Sequence, residues 1–157
     1  MKLSAQEEYG LRCLLQLGRR DLSQSLTIPE ISQAEGISTH NVAKLLRILR
    51  QHNFVTSARG QHGGYTLARP AAQIVVGEVL AALGGRLYEP SFCDHFGGSE
   101  TSCLHSSTEC SVRSLWSRVQ QAVDQVLSQT TLHDLLHQDE LDTAQLPTIE
   151  LIEITSS

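Results

Sequence analysis

The sequence predicts a mainly α-helical chain with one small β-hairpin: a winged helix-turn-helix domain followed by a long dimerisation helix. Three observations lead there. Two short helices, each opened by a capping residue, are joined through Gly36-Ile37-Ser38. Two strand-like runs then flank a glycine-rich turn, which outlines a wing. Farther on, Val112, Leu115, Trp116, Val119, Val123, Val126 and Leu127 recur at spacings of three and four, an apolar stripe on one helix face.

The elements follow in order. Ser4 and Glu7 read as a capping box, so a first helix starts near Ala5. Tyr9, Cys13 and Leu17, with Leu11 and Leu14, form its apolar face, and Cys13 is expected in the core. Glu8 and Arg12 share a more polar face, at the spacing of an ion pair worth a few tenths of a kcal/mol, about 0.3. Residues 19–26 are a polar connector. Thr27 and Glu30 make a second capping box with Pro29 in the first turn. That helix runs to about Glu35 and stops at Gly36 in a left-handed conformation. Ser38 caps the next helix, with Ile37 and Val42 spaced as a hydrophobic staple. Val42, Leu45, Leu46 and Leu49 share one face of it, while His40, Asn41, Lys44, Arg47 and Arg50 point elsewhere.

Residues 54–57 and 65–67 read as strands. The turn between them holds Arg59, Gln61, His62 and three glycines, and Arg69-Pro70 ends the hairpin. Residues 76–83 suggest a short helix closed by Gly84-Gly85. Ser111 caps the long striped helix, and Thr131 with Asp134 starts a last turn ending near Leu136. The implied organisation is a DNA-binding domain over 1–83, a cysteine-rich loop over 84–110, a dimerisation helix with a short final helix over 111–137, and an acidic tail over 138–157 that is expected to be mobile. For the long helix, the alternative to dimerisation is packing back onto its own domain.

The formal net charge is −5, but it is uneven. Residues 1–70 carry nine Lys/Arg against five Asp/Glu, and residues 71–157 carry three against twelve. A basic half joined to an acidic half is the asymmetry of a chain that meets phosphate with one end. No apolar run approaches the ~20 residues of a membrane span, and the N-terminus lacks a signal-peptide pattern. A cytoplasmic location is the expectation, with no membrane partner. In that reducing compartment a structural disulfide is disfavoured.

Three of the four cysteines, Cys93, Cys103 and Cys110, lie in a loop of glycine, serine, threonine and acids that has little to bury. Three soft thiolates in such a loop can converge on zinc or on an iron–sulfur cluster. A disulfide and incidental thiols are the plainer readings. A thiol-redox enzyme is disfavoured, because the chain has no Cys-x-x-Cys pair and no paired catalytic base. No enzymatic activity and no small-molecule substrate are expected.

Together, the Met1-Lys2-Leu3-Ser4 opening, the helix-turn-helix, the wing Gly63-Gly64-Tyr65-Thr66-Leu67-Ala68-Arg69-Pro70, the cysteine loop and the Leu115-Trp116 helix resemble a family of winged-helix bacterial regulators that hold iron–sulfur clusters. Its members include the iron–sulfur-cluster regulator IscR, the nitric-oxide sensor NsrR and the redox sensor RsrR. The resemblance covers residues 1 to about 137. It implies a homodimer on a palindromic operator in double-stranded DNA, acting as a repressor (the family also includes activators). It further implies a 2Fe–2S or 4Fe–4S cluster in the cysteine loop and a response to redox state, nitric oxide or iron–sulfur status. Cys93, Cys103 and Cys110 match the family's cysteines, although Cys93 and Cys103 are farther apart than is usual. Where the iron–sulfur-cluster regulators keep a ligating histidine, this chain has Arg113, which cannot ligate. In the nitric-oxide and redox sensors a first-helix acid of the partner subunit ligates, and Glu8 stands at that place. The redox sensors add a histidine where this chain has Arg12. His95 and His105 are loop rivals for the fourth position. A winged-helix regulator with a structural zinc site and no cluster sensing is the alternative.

The resemblance also implies DNA contacts. The helix capped by Ser38 would enter the major groove, with Ser38, His40, Asn41 and Lys44 near base edges and phosphates and Arg47 farther along. Arg59, Gln61 and His62 at the wing tip would reach the minor groove or the backbone.

Overall fold

The computed structural model describes residues 4–58, 60, 63–85 and 111–137. Helix α1 (Ala5–Gly18) opens with a complete capping box, in which Ser4 Oγ accepts from the Glu7 N–H and the Glu7 carboxylate accepts from the Ser4 N–H at 2.7 Å. Its Cys13, Leu14 and Leu17 are buried. Helix α2 (Ile28–Glu35) begins with the Thr27–Glu30 box and ends at Gly36, whose φ of 65° is the left-handed conformation. Ser38 Oγ accepts from the Asn41 N–H and caps α3 (Thr39–Gln51). Ile37 and Val42 are both buried, as the staple requires.

Strands β1 (Val55–Ala58) and β2 (Gly64–Leu67) pair antiparallel, with Val55 opposite Leu67 and Ala58 opposite Gly64. The first strand thus begins one residue later than the sequence suggested. Asn53 adopts a φ of 59° to turn the chain out of α3, and the Phe54 N–H still donates to Leu49 O at 2.9 Å. The connector at 19–26 does more than connect. Leu26 exchanges two backbone hydrogen bonds with Tyr65, at 2.9 and 2.8 Å, and so lies alongside β2 as a third edge position. A side chain at Gly64 would put its Cβ 2.8 Å from Leu26 O, so this approach needs glycine.

A 3₁₀ turn over Ala71–Gln73, which local pattern did not indicate, leads into α4 (Val76–Leu83). Helix α5 (Ser111–Gln129) takes Ser111 as its first helical residue, not as its cap. A one-residue difference is ordinary for a helix end. Helix α6 (Leu132–Leu136) starts where Thr131 and Asp134 indicated, and the two form a capping box. A short bridge ties the two halves together: Val76 N–H donates to Thr130 O at 2.9 Å, and Leu132 N–H donates to Ile74 O at 2.8 Å. Leu132 is wholly buried and joins Cys13, Leu14, Ile31, Leu46, Leu49 and Val79 in one core.

The stripe on α5 has two fates. Leu127 packs on α4, 3.3 Å from where a Cβ on Gly77 would sit. Val112, Leu115, Trp116 and Val126 stay 59%, 54%, 49% and 64% exposed. Part of the predicted face is therefore left without cover by the described residues. No helix among them is long and apolar enough to cross a membrane.

Candidate nucleic-acid interface and cluster ligands

Helix α3 has the strict two-sidedness its pattern required. Val42, Leu45, Leu46 and Leu49 are buried, while Ser38, His40, Asn41, Lys44, Arg47 and Arg50 are exposed. Ser38 is committed to capping, which fixes the direction in which the helix N-terminus points. Ala5, Gln6 and Tyr9 of α1 line a shallow cavity with Asn41, Lys44 and Leu45, so the start of α1 flanks the exposed side of α3. His40, Asn41, Lys44 and Arg47 thus form one polar surface with donors suited to base edges and phosphate oxygens.

The wing is braced against that helix. Arg50 Nη1 donates to Ser57 Oγ at 3.3 Å, which links α3 to β1. Arg69 is the larger brace. Its Nη1 donates to Asn53 O and its Nε to Gln73 O, each at 3.0 Å. Its guanidinium lies 5.1 Å from the Phe54 ring centroid and 3.4 Å from a Glu78 oxygen. Sequence reading took Arg69 only as the end of the hairpin. Its partners are scattered along the chain, so no local spacing marks them.

Glu8 Oε1 lies 2.5 Å from Arg12 Nη2, the i, i+4 pair the sequence allowed. Arg12 also reaches Glu35 at the end of α2, at 3.9 Å, and the Gln16 amide donates to the same Glu35 side chain. One charged chain therefore runs from α1 to α2. The Glu8 side chain is 50% exposed, so its carboxylate remains open to a further partner such as a metal centre. Cys13 is a different case. Burial, reinforced by the charge of Glu35, pushes its thiol up to about 12, and the wholly buried side chain packs in the core. Cys93, Cys103, Cys110, His95 and His105, and the wing-tip Arg59, Gln61 and His62, lie outside the described residues.

Comparison with known proteins agrees with this geometry. The model of the Rrf2 family, described as iron-dependent transcriptional regulators, matches residues 3–138. The protein Rrf2 of Nitratidesulfovibrio vulgaris is 37% identical over 136 residues, covering 87% of each chain. The structure of IscR from T. potens superposes with a TM-score of 0.70 at 26% identity, over 94% of this chain and 93% of that one. CymR of Bacillus subtilis, described as its global cysteine regulator, gives 0.69 at 29% identity, over 87% and 96%.

Proposed function

The chain belongs to the Rrf2 family of transcriptional regulators, and from that premise we propose that it is a homodimeric repressor whose operator binding is set by an iron–sulfur cluster. The DNA-binding half of the reading is supported above all by α3, which buries one face and leaves His40, Asn41, Lys44 and Arg47 exposed on the other. That helix enters the major groove of a palindromic half-site, Asn41 and His40 meet base edges, and Lys44 and Arg47 meet phosphate. Arg59, Gln61 and His62 extend the contact from the wing. The exposed stripe Val112, Leu115, Trp116 and Val126 buries itself against the same stripe of a second copy, which sets the separation of the two α3 helices. The protein works in the cytoplasm, where DNA is found.

Cys93, Cys103 and Cys110 would hold the cluster, and Glu8 of the partner subunit would supply the oxygen ligand. When bound, the cluster supplies an iron centre that responds to redox change and nitric oxide. The protein's own part lies in what Glu8 touches. A carboxylate is a harder donor than a thiolate and holds iron less firmly, so this corner is the labile one. Arg12 connects Glu8 to Glu35 at the end of α2, so a change of partner at Glu8 is felt in the helix-turn-helix. Anaerobic purification, visible absorption with an iron and sulfide count, and mobility shifts on operator DNA in rising salt test the whole reading. Visible absorption and a steep fall of affinity with salt are expected. A colourless protein that holds zinc would remove the sensing half, and affinity that ignores salt would remove the DNA half.

A further inference from the structure

Helix α6 and its C-cap residue supply two histidines, His133 and His137, that neither the DNA surface nor the cluster ligands employ. His133 lies in the helix, His137 caps its end four residues later, and both are exposed. Their ring centroids are 4.1 Å apart with the planes tilted by 35°. His137 Nδ1 lies 2.9 Å from the carbonyl oxygen of His133. A carbonyl can only accept, so Nδ1–H is the donor, and in the neutral ring the free lone pair is left on Nε2. A ring held by one nitrogen on a backbone carbonyl, with the other nitrogen open, is the usual arrangement of a metal-ligating histidine.

The platform under the pair is firm. Leu132 is wholly buried, the Thr131–Asp134 capping box closes the first turn of α6, and Leu136 packs against Gly18 of α1. Rings this close can share one cation, because an imidazole nitrogen sits about 2.0–2.1 Å from zinc. The C-terminal end of a helix also favours positive charge. From these observations we infer that His133 and His137 form a two-imidazole site for a divalent first-row transition-metal ion, separate from the cysteine loop. Among the described residues no group of three or more His, Cys, Asp or Glu gathers, so the two imidazoles are the donors of this site. Imidazole suits zinc, copper and nickel, with copper bound most tightly. The bound ion would clamp the last turn of α6, next to the bridge that joins α5 to α4.

Nickel chloride is the probe, titrated calorimetrically into the full chain with its cluster loaded, and again into the chain carrying Cys93→Ser, Cys103→Ser and Cys110→Ser. The second titration removes rival thiolates, so the result stands apart from the cluster reading. One Ni²⁺ per chain is expected in both. His133→Gln or His137→Gln each lowers the affinity by about tenfold or more, because the second imidazole acts at high effective concentration. His52→Gln leaves it unchanged. Affinities of the His133→Gln and His137→Gln chains within twofold of the parent overturn the site. Paramagnetic broadening by Ni²⁺ in the unaltered protein gives a second readout that needs no variant. The imidazole signals of His133 and His137 broaden first, and broadening that starts at other histidines overturns the inference equally.

Discussion

Replacing Arg69 with alanine removes the brace at the base of the wing, and its cost can be worked from the contacts. The guanidinium donates to two backbone carbonyls, Asn53 O and Gln73 O. Hydrogen bonds from a charged donor each contribute about 1.5–3 kcal/mol. The side chain is 30% exposed, so water partly replaces them and the lower end applies. The contact with Phe54 adds about 0.5–1 kcal/mol. The Glu78 pair is mostly exposed and adds a few tenths, about 0.3 kcal/mol. The loss is therefore about 4 kcal/mol, a large share of the ~5–15 kcal/mol that holds a typical domain folded. Urea unfolding followed by circular dichroism measures it as a lower midpoint. Arg69→Lys should recover less than half, since one ammonium cannot reproduce a planar fork. Operator affinity of the folded Arg69→Ala protein should fall as well, because Asn53 and Phe54 carry the chain from α3 into β1. A loss below about 0.5 kcal/mol, the size of an ordinary surface change, would refute the bracing role.

Val119→Asp places a charge in the proposed seam between two α5 helices, where an unpaired charge costs about 3–5 kcal/mol. Light scattering should then report a monomer and operator binding should collapse; a dimer that binds normally sinks the seam. Glu8→Ala should leave fold and dimer intact while changing the visible spectrum and shortening the cluster's lifetime under air. An unchanged spectrum, together with cluster loss in His105→Ala, would move the fourth ligand into the loop. The capping carboxyls give a pH signature. Hydrogen bonds from the Thr27 hydroxyl and N–H hold the Glu30 carboxyl below its usual 4.5, and the N–H and hydroxyl of Thr131 hold Asp134 below its usual 3.8. Depressed folded-state values mean that this stabilisation is complete above the unfolded values and is lost as pH falls through the folded ones. Thermal melts should drop below about pH 4.5, and Glu30→Gln with Asp134→Asn should flatten that acid limb; a limb of unchanged slope would show that other groups control it.

The local grammar of this chain is complete in its sequence. Each capping box lies within four residues, so Ser4–Glu7, Thr27–Glu30 and Thr131–Asp134 are legible without knowing what the helices pack against. Gly36 is equally legible, because the left-handed stop between two helices favours a residue without a Cβ. The apolar period of α3 determines which side faces inward, and with it which side is open to solvent. The triplet Cys93, Cys103 and Cys110 is likewise read from the sequence, as candidate ligands for zinc or an iron–sulfur cluster. Tertiary structure decided everything that depends on partners remote along the chain. Leu26 pairs with Tyr65, Val75 with Thr131, Arg69 with Asn53 and Gln73, and Arg12 with Glu35. Backbone groups and long charged side chains bond to whatever the packed core brings near them, and no periodicity records that choice. The same reason divides the stripe of α5. Its spacing announces an apolar face, but only the packing of Leu127 on Gly77 separates the part the domain covers from the part it leaves open.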